Sequence, residues 1–277
     1  MKKKKLTLGT VLIYAVLGIA SFLFLFPFVI MISTSFKPFE EVSELPIRIF
    51  PRNWTLESYR EVFATFPFFR YLGNTLMLVV HNVVGTVFSS SLVAYGLSRI
   101  RWKGRELLFG ITLSVMMIPG AVTMVPTYLV FSKLHVVGTY IPLILPSFFG
   151  NAFNIFLLRQ FFMGLPRSLE DAARIDGCNE LQIYGRVFLP LMKPALITIA
   201  VFQISGTWND YTGPLLYLST EDKYTLQYGL HRFTSTYNTV VTCQIAAALM
   251  ISLPMVLLFF LAQKQFTQGI TFSGIKG

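Results

Sequence analysis

Val11–Ser33 reads VLIYAVLGIASFLFLFPFVIMIS, a run with no charged side chain. A helix rises about 1.5 Å per residue, so about 20 such residues cross the roughly 30 Å hydrocarbon layer of a bilayer. The run therefore predicts a membrane-spanning helix. Five more segments of the same character follow, at Leu72–Leu97, Leu107–Phe131, Ile141–Phe162, Pro194–Leu218 and Val240–Gln263. Of the 277 residues, 54% are hydrophobic and 13% charged, with a mean hydropathy of +0.61. A water-soluble domain carries about twice that share of charge. No linker, low-complexity tract or repeat divides the chain. The expectation is an all-α membrane protein, one transmembrane domain over residues 1–277 with six transmembrane helices.

The net charge of +10 does not point to nucleic acid, because the basic residues form no patch interleaved with aromatics in a polar domain. They lie between the apolar runs. Lys2 to Lys5, then Arg99, Arg101, Lys103 and Arg105, then Arg159, Arg167, Arg174, Arg186 and Lys193 fall on one side when six spans are counted. Lys and Arg hold short loops in the cytoplasm, so both termini are expected there. The opposite loops are mixed in sign, as where Glu40, Glu41 and Glu44 offset Lys37, Arg48 and Arg52. The first apolar run is too long for the core of a cleaved signal and lacks a small-x-small site, so it is read as a retained span. Cys178 and Cys243 fall at different levels of the membrane, with no second ligand at metal spacing. Trp54, Trp102 and Trp208 lie near span edges, where an indole anchors at the interface. Pro27, Pro119, Pro126, Pro142, Pro146, Pro214 and Pro254 are expected to kink or open the helices that carry them.

One loop, residues 164–193, stands out. Gly164-Leu-Pro-Arg-Ser-Leu-Glu-Asp-Ala-Ala-Arg-Ile-Asp-Gly177 places Ser168 at a helix N-cap with Asp171 three residues on, in the manner of a capping box. Glu170 and Asp171 suit the positive end of that helix. Ala172 and Ala173 keep it thin, and Gly177 is suited to end it in a left-handed conformation. A second helical stretch is expected over about Glu180–Phe188. Read physically, this is an ordered knob with two open roles, a docking element or an amphipathic linker.

The spacing adds more. Asp171-Ala172-Ala173, then Gly177, then Val187-Phe188-Leu189-Pro190 resembles the Glu-Ala-Ala loop of permease subunits of binding-protein-dependent ABC importers, with Asp in place of Glu. The resemblance extends through Ile32–Pro38, Trp54–Tyr59, Ala94–Arg99, Phe156–Phe162, Trp208–Pro214 and Gln268–Gly277 to carbohydrate permeases related to the shorter permease of maltose-type importers. It implies the ABC importer permease fold in the cytoplasmic membrane of a prokaryote. It also implies a second related permease, two ABC ATPase subunits that hold ATP and Mg2+, and an extracytoplasmic sugar-binding protein. No cofactor is expected on this chain. The implied ATPase-docking residues are Ser168, Glu170, Asp171, Ala172, Ala173, Asp176, Gly177, Leu189 and Pro190. The implied cargo is a sugar, an oligosaccharide by expectation; importers of glycerol phosphates or other polyols look similar.

Polar side chains within the spans are candidates for the substrate pathway: Asn82, Asn151, Asn154, Gln203, Trp208 and Asn209. Helix-to-helix hydrogen bonding is the competing role for each. Asp210, the one acid inside a predicted span, is either functional or a cap at an outer boundary. The phosphate-binding pattern of an ATPase is missing, since Ile275 stands where Lys is needed after Gly269 and Gly274. His81, His135 and His231 lie in separate contexts, so no catalytic constellation converges and the chain is not expected to be an enzyme. A secondary transporter would need midplane titrating groups and an inverted repeat. The loop from Lys37 to Arg70, with an amphipathic helix over Leu56–Phe63, is the candidate contact for an external protein. The tail from Gln263 is expected near the ATPase.

Overall fold

In hydrocarbon every backbone N–H and C=O needs a partner within the protein, and a helix meets that need segment by segment. The computed structural model describes residues 8–44, 48–236 and 241–271. Lys2 to Lys5, Val240 at the expected start of the sixth span, and residues 272–277 of the tail lie outside them. In chain order the helices are α1 (Leu8–Ser35), α2 (Glu57–Thr65), α3 (Phe68–Ser98), α4 (Arg105–Val115), α5 (Gly120–Lys133), α6 (Ile141–Ile144) and α7 (Ala152–Gly164). After these come α8 (Ser168–Ile175), α9 (Glu180–Gln182), α10 (Leu189–Leu191), α11 (Lys193–Trp208), α12 (Thr212–Tyr217), α13 (Leu226–Thr236) and α14 (Val241–Thr271). Among the described residues four segments are long and apolar enough to cross a membrane: α1, α3, Ile141–Gly164 and Val241–Gln263. Two bent pairs, α4 with α5 and Glu180–Leu191 with α11, raise the number to six if each is one span.

The prolines act unequally. Pro27, Pro126 and Pro254 lie within continuous helices. Pro119 is extended (ψ 135°) at the N-cap of α5, and the chain bends by 99° between α4 and α5; lacking an N–H, a proline cannot continue the hydrogen-bond ladder of the helix before it. The expected fifth span, Pro194–Leu218, is not one helix. It stops at Trp208 and restarts at Thr212, while at its other end the chain turns by 79° before α11. Asp210 Oδ1 accepts from Gly213 N at 3.0 Å, which gives this acid a structural task at the start of α12.

The chain forms two compact units, one of residues 1–68 and 230–253, the other of residues 69–229 and 254–277. In the first, α1 exposes its apolar surface except at Ser33, Thr34 and Ser35. Ser35 Oγ hydrogen-bonds Tyr59 Oη at 2.9 Å, and the Phe36 ring packs on Trp54 and Tyr59. The expected amphipathic helix is α2, with Ser58 and Val62 buried.

The core of the second unit gathers Ala94, Tyr95 and Leu97 of α3, Phe109 of α4, Ile155, Leu158 and Phe162 of α7, and Ala173, Ile183, Tyr184 and Phe188 of the 164–193 loop. Midway along α3, Ser89 Oγ donates to Ser147 O at 2.9 Å, and Ser90 Oγ accepts from Asn151 N at 3.2 Å. Small residues let backbones approach this closely. A Cβ at Gly85 would lie 2.8 Å from the Phe148 ring. Gly85→Leu should therefore destabilise the protein by about 1–3 kcal/mol through overpacking, read as a lower melting temperature of the detergent-solubilised chain; an unchanged melt would show that the segment after α6 does not rest on α3.

Candidate functional site

Helix α8 begins at Ser168, but not through the expected cap. Arg167 is the N-cap residue, already helical at φ −69° and ψ −26°, and no side chain caps the helix. The Arg167 carbonyl instead accepts from Glu170 N (2.9 Å) and Asp171 N (3.2 Å), so the first turn closes on backbone and Ser168 lies inside the helix. The capping box occurs one element later, where Asn179 Oδ1 accepts from Gln182 N and Gln182 Oε1 accepts from Asn179 N, both at 2.9 Å. At the end of α8, Gly177 has φ +82°. Gly177 N donates to Arg174 O and Cys178 N to Ala173 O, the paired bonds of a Schellman stop, which needs left-handed backbone.

The expected second helical stretch is α9 continued by a π-helical turn, Ile183–Phe188, and α10. Leu189 N reaches back to Tyr184 O, and Pro190 has no N–H to offer. This widened turn buries Ile183, Tyr184 and Phe188.

The docking residues named from sequence divide between two faces of α8. Ser168, Asp171, Ala172, Asp176 and Gly177 are exposed, and beside them lie Ile175 (86% exposed) and Leu181 (72%). Pro190 is exposed and Leu189 half-buried. Glu170 and Ala173 point the other way and are buried, so Glu170 is withdrawn from any partner. Its carboxylate accepts from Arg99 Nη1 at 2.9 Å, with the two side chains only 7% and 4% exposed.

Arg99 also donates from Nη2 to the carbonyls of Phe162 and Leu165 (2.7 Å for the latter), and its guanidinium lies 4.8 Å from the centre of the Phe188 ring. One cation thus joins the end of α3 to the last carbonyls of α7, to α8 and to the π turn. Helix C-terminal carbonyls are a negative site, which adds to the pairing with Glu170. Removing one partner of such a buried pair costs about 3–5 kcal/mol.

Two further contacts continue along the same face of α3. Tyr95 Oη donates to Glu180 Oε2 at 2.8 Å, and Ser91 Oγ hydrogen-bonds Tyr184 Oη at 2.7 Å. Arg174 Nη2 donates to Glu180 Oε1 at 2.8 Å. The Tyr95 hydroxyl first, and Arg174 after it, hold the Glu180 carboxyl below the usual carboxylate range against its partial burial. The bracing of Glu180 is therefore complete above the ordinary carboxylate pKa and is lost as pH falls through the lowered one. A neighbouring pair closes α4 onto α7: Arg159 Nη2 donates to both Glu106 oxygens (3.0 and 2.9 Å) while its Nε donates to Leu97 O.

The pathway candidates are not brought to one place. Asn82 of α3 donates to Thr207 Oγ1 (3.3 Å), Gln203 Nε2 donates to the same oxygen (3.0 Å), and Thr86 donates to Gln203 Oε1 (3.1 Å). These form a polar cluster between α3 and α11, in which Asn82 Oδ1 is buried without a partner. Asn151 caps α7 by accepting from Asn154 N, and Asn209 donates to Ser205 O within its own helix. Trp208 is 4% exposed, so it is a packed side chain and not an interfacial anchor. His81 is exposed and bonds Met77 O.

Sequence reasoning did not name Tyr95, Arg99 and Tyr184 as site residues, using Arg99 as a topological charge and the Ala94–Arg99 stretch as one carrier of the family resemblance. The available signal was the spacing of Ser91, Tyr95 and Arg99, polar groups four residues apart along α3, which puts all three on one face.

Residues 85–271 match the family described as the binding-protein-dependent transport system inner membrane component. The chain is 35% identical to the arabinooligosaccharides transport system permease protein AraQ of Bacillus subtilis, over 93% of this chain and 92% of the relative. It is 33% identical to the polygalacturonan/rhamnogalacturonan transport system permease protein YtcP of the same organism, over 96% and 97%. Among solved structures it is similar to a chain of a bacterial ABC transporter involved in the import of the acidic polysaccharide alginate, with a TM-score of 0.84, 27% identity, and coverage of 95% of this chain and 98% of that one. With a helical fold shared over nearly its whole length and a family match that includes the whole 164–193 loop, the chain belongs to the inner membrane components of binding-protein-dependent transport systems.

Proposed function

We propose that this chain is the permease subunit of an ATP-driven importer, forming with a second related permease the pathway for a sugar delivered by an extracytoplasmic binding protein. The single observation that carries the reading is the outward face of α8. Asp171, Ala172, Asp176 and Gly177, with Ile175 and Leu181 beside them, are exposed at the spacing of the Glu-Ala-Ala loop, and the opposite face is held by the Arg99–Glu170 pair. An exposed apolar and acidic edge on a rigidly mounted helix suits a cleft on a partner protein. That partner is an ABC ATPase, which binds the ATP and Mg2+; two copies act on the permease pair, and this chain hydrolyses nothing itself.

In this reading the chain crosses the cytoplasmic membrane six times with both termini inside, the bent pair α4–α5 serving as the third span and α11 as the fifth, with α9 in the cytoplasmic loop before it. Loops rich in Lys and Arg then share the cytoplasmic side with α8. The cargo is an oligosaccharide. It is supported by relatives named for arabinooligosaccharides and for polygalacturonan or rhamnogalacturonan and by the alginate importer. Asn82 and Gln203 remain the pathway candidates of choice, because the Asn82 carbonyl oxygen is an unused acceptor for a sugar hydroxyl.

Gly177→Val tests the docking face. A β-branched residue at φ +82° stores about 1–3 kcal/mol of strain. Recovery of the ATPase with the affinity-purified chain should fall severalfold while membrane insertion stays at the wild-type level. Wild-type recovery and wild-type coupling of hydrolysis to uptake in this variant would remove α8 as the docking element. The cargo is tested by ATP-dependent uptake into vesicles carrying the whole importer, comparing labelled oligosaccharides with glycerol 3-phosphate. Oligosaccharide uptake alone is the expected result, and uptake of the phosphate alone would reassign the substrate class.

A further inference from the structure

We infer that Ser91, Tyr95 and Arg99 are positioning residues that pass displacement of the docking helix to α3, making the second span the transmission rod of the molecule. This rests on the importer reading above. The docking loop is joined by the backbone to α7 on one side and to α11 on the other, and the second junction is bent by 79°. Helix α3 has no such covalent link to the loop. It is tied to the loop by side chains alone: Ser91 to Tyr184, Tyr95 to Glu180, and Arg99 to Glu170. The three side chains follow at intervals of four residues and so lie on one face. Their three partners come from the π turn, α9 and α8 respectively, so every ordered part of the docking loop as far as Phe188 is held by one helix.

What happens at the other end makes the arrangement a rod and not merely a brace. Helix α3 runs from Phe68 to Ser98 with no proline inside it, about 45 Å at the helical rise. The α4–α5 and α11–α12 segments are interrupted by comparison. In its middle, α3 contacts α11 through Asn82 and Thr86. At its far end Asn74 Nδ2 donates to Asp222 O (2.8 Å) and Tyr224 O (2.9 Å), and Thr75 Oγ1 accepts from Leu226 N (2.9 Å). Tyr71 Oη donates to Glu221 Oε1 at 3.2 Å. A shift imposed at Arg99 therefore reaches the polar cluster of α11 and the 221–226 turn without crossing a hinge.

The Arg99 end is built so that it cannot slip. A lysine there would keep the charge but lose the planar fork that addresses the carboxylate and two carbonyls together. Tyr95→Phe removes one hydroxyl and leaves the ring packing on Phe162, Tyr184 and Phe188.

The test uses the complete importer in proteoliposomes, with sugar uptake and ATP hydrolysis measured on the same preparation and normalised to assembled complex. Sugar moved per ATP should fall about fivefold or more in Arg99→Lys and about twofold in Tyr95→Phe, since charge-assisted hydrogen bonds are the stronger ones. A merely structural role predicts that uptake and hydrolysis decline together with their ratio unchanged, and that result would overturn the inference. Should Arg99→Lys fail to assemble, Tyr95→Phe and Glu170→Gln decide by the same ratio. Absence of ATP-dependent uptake by the wild-type assembly would instead sink the importer reading itself, so the two failures are distinguishable.

Discussion

A guanidinium buried at the end of a membrane helix needs anionic or carbonyl partners, and Arg99 draws three other elements onto its two Nη groups and its face while its Nε stays buried without a hydrogen-bond partner. The pair with Glu170 is the ionic part of this arrangement. The carbonyls of Phe162 and Leu165 supply acceptors from the end of α7, and the Phe188 ring covers the cation from the π turn. The elements of the 164–193 loop are too short to be stable by themselves at that place. The eight residues of α8 and the three of α9 are far below the length at which an isolated helix persists in water. They hold their shape because the cation and the aromatic cluster behind it do.

The same arrangement explains why the two faces of α8 differ. Glu170 and Ala173 are used inwardly, and a small residue at 173 lets the helix sit close to the core. Asp171, Ala172, Asp176 and Gly177 are left outward. The inward face is held firmly, because a buried ion pair with hydrogen-bonded carbonyls is stiffer than a hydrophobic contact that can slide. Directional bonds fix orientation as well as distance.

Membrane insertion shapes the rest. Helices α1, α3 and α14 are continuous, while the α4–α5 and α9–α12 stretches are bent or broken near Pro119, Met192 and Asn209. Interruptions are tolerated where the freed groups find partners. Asp210 supplies one of these at the start of α12, and Asn151 supplies another at the start of α7. Two of the polar residues inside the spans thus serve the backbone, and Asn82 and Gln203 join helices to one another.

The sequence by itself determined the helical class, the long apolar helices, the left-handed stop at Gly177 and the family, because apolar run length, glycine at a positive-φ stop and motif spacing are local properties. It also picked out the helical character of the 164–193 loop. It misplaced the cap of α8, since whether Ser168 caps depends on where Arg167 turns helical, a matter of backbone path. It read the fifth span as one helix, because composition reports burial in lipid and not continuity of the ladder. Only the tertiary structure decided which face of α8 is outward, that Glu170 belongs to Arg99, and that Trp208 is packed inside. Glu170 and Arg99 lie 71 positions apart in the chain, and no local pattern specifies which distant carboxylate a buried donor will meet.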